Sequence, residues 1–268
     1  MSLLTKTPPA PRIFTREYYH RLSDLEEQSG WYQGMCEVAV RLVARYSTSS
    51  GRMRVLDAGC GTGLLLSQFG RFAGPDGMLV GLDLAPEALE FCRRRDSLRL
   101  VRSSLTPLPF GPSSFDLITC ADVLQHLEGQ EDQEAFREFA RILRPGGLLF
   151  VRVAAGAGDP TLSHRYYRPD QIAGQATEAG LDVEKASYIN RLSFFAQSFR
   201  RKLDSRYDGQ GLPEVRPSGP WRCFSWLWWK DELVAYCLKQ EAKLLAGTGR
   251  NFSRGTSVIC LARKSGKA

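Results

Sequence analysis

Three observations predict a doubly wound, seven-stranded α/β sheet with helices on both faces for this 268-residue chain. From Arg54 onward, short apolar runs alternate with stretches of helical periodicity, the rhythm of a mostly parallel sheet. The first run, Val55-Leu56-Asp57, leads into Ala58-Gly59-Cys60-Gly61-Thr62-Gly63. Glycines at alternate positions let such a turn bend sharply and bring its backbone close to a ligand. The second run ends on an acid, Asp83, and sheets of this kind bind ligands beyond the carboxyl ends of their strands.

Taken in order, residues 1–12 are proline-rich and terminal and are expected to lack order. Phe14 to Arg45 reads as helical, with Tyr18, Leu22 and Leu25, then Met35, Val38 and Leu42 at helical spacings. Gly30 and Gly34 flank Trp31-Tyr32, an aromatic pair expected at a break between two helices. Strands follow at Arg54–Asp57, Met78–Asp83, Leu98–Arg102, Phe115–Cys120, Leu148–Val153, Leu181–Ser187 and Thr256–Arg263. Among the connecting helices, one begins at Pro86 with Glu87 and Glu90 early and Arg93-Arg94-Arg95 late, a charge order that matches the helix dipole. Another spans Glu131–Leu143 with Phe136, Phe139 and Ala140 on one face, and a third runs from Pro169 to a Gly180 cap. Before the last strand come roughly 65 residues that a minimal sheet does not need. In them Leu192, Phe195, Phe199 and Leu203 keep helical spacing, and Trp221, Trp226, Trp228 and Trp229 crowd together ahead of a helix at Lys230–Leu245. The expected organisation is an N-terminal helical cap over 1–50, a core over 51–190, a tryptophan-rich helical insertion over 191–254, and the final strand and tail over 255–268.

Composition bounds the function. With 43% hydrophobic and 24% charged residues, the chain is expected to form an ordinary globular core. No run of about 18 apolar residues marks a transmembrane helix, and the start of the chain does not read as a secretory signal. Seven cysteines without close pairs suit reduced thiols, hence a cytoplasmic setting, better than disulfides or a zinc site. The three histidines are well apart, so no metal is expected. The net charge of +7 is uneven: residues 1–183 hold 20 Lys/Arg and 22 Asp/Glu, and residues 184–268 hold 16 and 7. The basic C-terminal part suits an anionic partner or a solvated face.

The glycine turn decides between nucleotide ligands. A dinucleotide site wants G-x-G-x-x-G; here the sixth position is Leu64 and the pattern is Gly59-x-Gly61-x-Gly63, which suits a ligand with no pyrophosphate to seat. Asp83 is placed to accept both hydroxyls of a ribose. With Leu108-Pro109-Phe110, Ser114-Phe115-Asp116, Val123-Leu124-Gln125-His126-Leu127 and Leu143-Arg144-Pro145-Gly146-Gly147, the chain resembles class I S-adenosylmethionine-dependent methyltransferases. The likeness is to the small-molecule, bacterial type with the Leu-Pro-Phe turn. It covers Arg54 to about Ser187 closely and the last strand loosely.

That resemblance implies a Rossmann-like methyltransferase sheet and S-adenosyl-L-methionine as cofactor, with S-adenosyl-L-homocysteine as product. It implies that Asp57 and the Gly59, Cys60, Gly61, Thr62 and Gly63 backbone hold the methionine part. Asp83 would hold the ribose and Ser104 would contact the adenine, with Leu84 and Leu105 also at the cofactor. Ala121 and Asp122 would border the sulfonium and the entry to the substrate pocket. Ser104 stands where the family commonly has Asp, so it offers an acceptor without charge. Methyl transfer needs chiefly alignment and exclusion of water; His126 is the family-consistent base, set against a reading as a helix cap. Tyr18, Tyr19, Trp31 and Tyr167 are expected in the acceptor pocket, with His20, His164 and Tyr166 as further candidates. Cys60 reads as a packing residue. The tryptophan cluster suits insertion core, a lid, or a homodimer contact. The leading expectation is methyl transfer to O, N or C of a small molecule such as a secondary metabolite, quinone or lipid-like precursor. An RNA or protein methyltransferase using basic Arg200, Arg201, Lys202 and Arg206 is one alternative, and a non-catalytic binder is another. No Asp/Asn-Pro-Pro-Tyr/Phe segment follows strand four, which argues against DNA adenine methylation, and with no recognition motif beside the basic residues nucleic acid is not the expected partner.

Overall fold

The computed structural model describes residues 15–48, 51–95, 98–156, 165–204 and 229–266. Seven strands form one sheet in the order β3-β2-β1-β4-β5-β7-β6. They are β1 (Arg54–Ala58), β2 (Met78–Asp83), β3 (Leu98–Arg102), β4 (Phe115–Ala121), β5 (Leu143–Ala154), β6 (Leu181–Ile189) and β7 (Ser257–Lys264). The first five pair in parallel, and β7 runs antiparallel between β5 and β6. Because β1 pairs with both β2 and β4, the strand order reverses beside it and opens a crevice at the carboxyl ends of β1 and β4.

Alternation along each strand sends neighbouring residues to opposite faces. Leu117 and Phe150 join one core with Val55 and Ile259, while Ile118 and Val151 join the other with Leu56 and Cys260. The second face is covered by α6 (Glu131–Ile142) and α7 (Pro169–Glu178), through Phe136, Phe139, Ile142, Ile172 and Ala176. No helix connects β3 to β4; Leu105 and Leu108 of that connection are buried in the same core instead.

The first face differs from the sequence expectation. Helices α1 (Arg16–Gln28) and α2 (Gly30–Tyr46) are parted at Ser29, whose hydroxyl accepts from the Trp31 amide at 3.3 Å. Trp31 and Tyr32 therefore lie in the first turn of α2 rather than at a break, because Ser is a better helix start than Gly. Gly34 serves packing: a Cβ there would sit 2.7 Å from Leu238. Leu238 belongs to α9 (Trp229–Gly247), which lies along α2. Met35, Val38, Leu42, Leu238, Ala242 and Leu245 form one core with the sheet. Neither α2 nor α9 is an appendage, since both bury apolar residues against the strands; among the described residues of the expected 1–50 cap, α1 lies outside this core. From the expected insertion, α8 (Arg191–Asp204) follows β6 directly, and Glu241 of α9 accepts from the amides of Asn190 at 2.7 Å and Arg191 at 2.9 Å. Trp221, Trp226, Trp228, Arg206 and His164 lie outside the described residues.

Short helices α3 (Leu64–Gln68) and α4 (Gly70–Ala73) follow β1, and α5 (Pro86–Cys92) follows β2. Tyr19 of α1 packs on Ala85, Ala88 and Phe91, and Arg16 pairs with Glu90 at 3.2 Å, so α1 roofs the crevice from the α5 side. Among the described residues, no helix is long and apolar enough to cross a membrane.

Candidate cofactor and acceptor site

The turn after β1 carries φ values of 82° at Gly59, 53° at Gly61 and 83° at Gly63, all in the left-handed region that disfavours a side chain. Two of these glycines also serve close approach. A Cβ at Gly59 would lie 2.2 Å from Val123 Cγ2, and one at Gly63 would lie 2.5 Å from Cys92 Sγ. A Cβ at Gly61 would meet nothing within 4 Å, so the middle of the turn faces open space. Leu82's carbonyl accepts from the Gly59 and Cys60 amides at 2.7 and 2.9 Å. Asp83 accepts from the Gly61 and Ala85 amides, both at 2.9 Å. The acid at the end of β2 thus staples the turn to the start of α5, a role beyond the expected ribose contact. Cys60 is buried with its sulfur 4.0 Å from that of Cys92; the contact with Cys92 and burial both raise its thiol, which makes it a packing group rather than a nucleophile.

Three carboxyl groups, two buried and one half-buried, gather at this turn. Asp57 is 2% exposed and accepts from the Thr119 hydroxyl at 2.6 Å. Burial pushes its carboxyl up to about 7, against the hydrogen bond from Thr119. Burial likewise raises Asp83, opposed by the Ala85 and Gly61 amides. The third is Glu26 of α1, which the sequence reading missed because Ser23-Asp24-Leu25-Glu26-Glu27 looks like a solvated helix surface. It is buried, accepts from the Thr62 hydroxyl, and pairs with Arg95 at 3.3 Å. Arg95 also donates to the Thr62 carbonyl at 2.9 Å. Burial raises Glu26 in spite of Thr62 and Arg95. Removing carboxylates from water favours their neutral form unless a cation compensates. Among the described residues, Arg95 is the one cation bonded to this group, so the arrangement is complementary to a cationic ligand.

The turn after β4 is built differently. Asp122 has φ 59°, and its carboxylate is paired with Arg152 of β5, at 2.6 Å from Nη2 and 3.3 Å from Nε. The Arg152 guanidinium lies 5.3 Å from the Trp31 ring centroid, a cation–π distance. Burial works against its charge, but Asp122 outweighs that and raises it further. Tyr18 and Tyr32 stand in the same electrostatic neighbourhood: burial raises both hydroxyls, and the carboxylates of Asp122 and Glu26 add to the rise. Burial also pushes the Cys36 thiol up to about 12.

The expected site residues thus divide. The glycine turn, Asp57, Asp83, Ala121, Asp122, Tyr18, Tyr19 and Trp31 come to the carboxyl edge of β1, β2 and β4, with Tyr19 buried as the wall between α1 and α5. Leu84 is half-buried beside Asp83, and its carbonyl accepts from Arg102 at 3.1 Å. Ser104 is half-buried, and its hydroxyl accepts from the Thr106 amide at 3.3 Å, while Leu105 belongs to the core. Tyr167 is a correction: it is buried, and its hydroxyl lies 3.0 Å from Asp132 and 3.3 Å from the Leu124 carbonyl. Asp132 also takes Gln175 at 2.9 Å and Arg165 at 3.1 Å, so a buried acid claims Tyr167 on the α6–α7 face. His20 is a second correction, pairing with Asp24 at 3.1 Å on the exposed side of α1. His126 sits half-buried in a 3-10 turn, Leu124–His126, directly after Asp122 and Val123. Among the described residues, no group of His, Cys, Asp and Glu is arranged to hold a metal ion.

Sheet order, glycine turn and the acid of β2 together place a nucleotide-type binding turn at the carboxyl edge of a doubly wound sheet. Residues 56–151 match the methyltransferase domain family. Over 137 residues the chain is 32% identical to the ubiquinone/menaquinone biosynthesis C-methyltransferase UbiE of Hahella chejuensis, covering 47% of this chain and 54% of that protein. The Azotobacter vinelandii UbiE is 37% identical over 105 residues, 37% of this chain and 41% of its own length. The chain therefore spans about half the length of the curated relatives it matches. Among solved structures, Haemonchus contortus phosphoethanolamine N-methyltransferase 2 with S-adenosyl-L-methionine superposes with a TM-score of 0.60 at 17% identity, over 95% of this chain and 58% of that one. The [4+2]-cyclase SpnF superposes with a TM-score of 0.56 at 20% identity, over 97% and 98%. These last two likenesses establish the fold alone.

Proposed function

We propose that this chain binds S-adenosyl-L-methionine at the Gly59–Gly63 turn and catalyses methyl transfer to a small molecule. The observation that carries the reading is the set of carboxyl groups, buried Asp57 and Glu26 and half-buried Asp83, around a turn whose middle glycine faces open space. When bound, the cofactor supplies a methyl group activated by a positive sulfur. Asp57 and its neighbours favour that charge, and Asp83 offers the ribose an acceptor already fixed by two amides. Tyr19, α1 and Trp31 exclude water from the crevice, which strengthens every charge interaction within it. Ser104 offers the adenine a neutral acceptor. The acceptor belongs to the small molecules, and the UbiE relatives' place in quinone biosynthesis makes a quinone precursor the first class to assay.

Calorimetry with S-adenosyl-L-methionine and S-adenosyl-L-homocysteine tests the reading at pH 6 and pH 8. Both should bind, and the preference for the positively charged donor should grow with pH as Asp57 ionises near 7. Absence of binding by either would end it.

A further inference from the structure

The turn after β4 narrows the chemistry of the acceptor. Arg152 stands in Leu148-Leu149-Phe150-Val151-Arg152-Val153, an otherwise apolar stretch of a central strand. A guanidinium there loses its hydration, and an apolar side chain of similar size would commonly be as stable or more so. Stability alone therefore does not account for the pair it makes with Asp122. Asp122 also holds a left-handed backbone, φ 59°, which is uncommon outside glycine and concentrates at functional sites. The two partners differ in access: the Arg152 side chain is 8% exposed and that of Asp122 34%. Trp31 covers the guanidinium. Arg152 grips Oδ2 at 2.6 Å and reaches Oδ1 only at 3.3 Å, so Oδ1 keeps most of its capacity to accept. A molecule entering the crevice meets a carboxylate, not a guanidinium.

Resting on the methyltransferase reading above, the geometry points to Asp122 as the acceptor-recognition residue: it accepts a hydrogen bond from a hydroxyl group on a flat, aromatic acceptor of the phenol or hydroquinone class. Arg152 is the positioning residue that keeps the carboxylate charged and aimed. Trp31 lies over the guanidinium, and the Asp122 charge reaches the Tyr18 and Tyr32 hydroxyls, aromatic neighbours that suit a planar ring. An acceptor with a carboxylate at this point would face Asp122 charge to charge. The sequence reading set Asp122 at the entry to the substrate pocket; here it gains a specific role there, as the acceptor of a hydrogen bond from the substrate.

The test uses the full chain saturated with S-adenosyl-L-homocysteine and two probes, hydroquinone and its dimethyl ether, followed by saturation-transfer NMR on the small molecule. Hydroquinone should bind at least about tenfold more tightly than the ether, the size expected for one hydrogen bond to a charged acceptor. Asp122→Asn should remove that preference while leaving affinity for S-adenosyl-L-homocysteine within about twofold, since the variant keeps the shape and loses the charge. Equal binding of the two probes, or an unchanged preference in Asp122→Asn, overturns the assignment. The comparison of probes is made on the native chain and holds even if the variant fails to fold. If S-adenosyl-L-homocysteine itself does not bind, the methyltransferase reading falls and this one with it; if it binds and the probes do not differ, the acceptor assignment alone falls.

Discussion

Two turns meet at the carboxyl edge of the sheet, and different forces hold them. The turn after β1 is made of backbone: three glycines at positive φ, with amides taken by Leu82 and Asp83. The turn after β4 has one positive-φ residue with a side chain, Asp122, held by an ion pair to a residue thirty positions on. They touch each other, since Val123 fills the space that a Cβ on Gly59 would need. A turn made of glycine accommodates any ligand that wants close backbone, whereas a turn held by a charge pair commits to a particular chemistry. The first is a platform and the second a reader.

Breaking the platform should have the largest effect. Gly59→Ala places a methyl 2.2 Å from Val123 Cγ2 at φ 82°. Left-handed backbone costs an alanine about 1–2 kcal/mol, and overpacking adds about 1–3 kcal/mol. At about 2–4 °C per kcal/mol for a chain of this size, the melting temperature should drop by roughly ten degrees, with loss of cofactor binding in calorimetry. A variant that binds the cofactor normally would show that the turn tolerates a side chain.

Next comes the acid beneath the platform. Burial lifts the Asp57 carboxyl from 3.8 to about 7, so the fold favours the protonated form. The group's contribution to stability is complete below the unfolded value of about 3.9 and is lost as pH rises through about 7. At about 1.4 kcal/mol per pH unit, the loss is on the order of 4 kcal/mol. Asp57→Asn stays neutral throughout, so its melting temperature should fall less from pH 4 to pH 7 than that of the native chain, the remaining fall coming from the raised carboxyls of Asp83 and Glu26. Parallel curves for the two would mean that Asp57 is not the titrating group.

The reader should break more mildly. Arg152→Met leaves Asp122 unpaired, which for a buried pair costs about 3–5 kcal/mol. Because Asp122 is partly solvated, about 2–3 kcal/mol is expected here. Adding Asp122→Asn should return most of it, since the double variant has no stranded charge. Urea denaturation of the single and double variants measures this, and additive losses would refute a direct pair.

The platform was legible in the sequence, and the reader only half so. Glycine spacing and an acid ending β2 are local signals, and strands two and three lie at the residues read from apolar runs alone. Asp122 was found by its place after strand four, but its partner was not, although a charge inside Leu148–Val153 is itself a signal that something must neutralise it. Glu26 gave no such sign, because its burial depends on where α1 docks, a tertiary fact that helical periodicity does not carry. The same holds for α2 and α9, whose neighbours in space are far apart in sequence. Tyr167 was misplaced because an aromatic hydroxyl serves a pocket and a buried acid such as Asp132 equally well.

The smallest effect tests how far the platform controls its roof. Thr62, inside the glycine turn, donates to Glu26, and Arg95 bridges both. Thr62→Val keeps the volume and removes the donor, at a cost of about 1 kcal/mol for one hydrogen bond. The loss should fall on α1, because α2 is held separately by its packing on the sheet and α9. Amide hydrogen exchange should therefore quicken along Arg16–Gln28 and stay unchanged along Met35–Val43. If the two helices quicken together they open as one unit, and α1 is then not a separate roof hinged at Ser29.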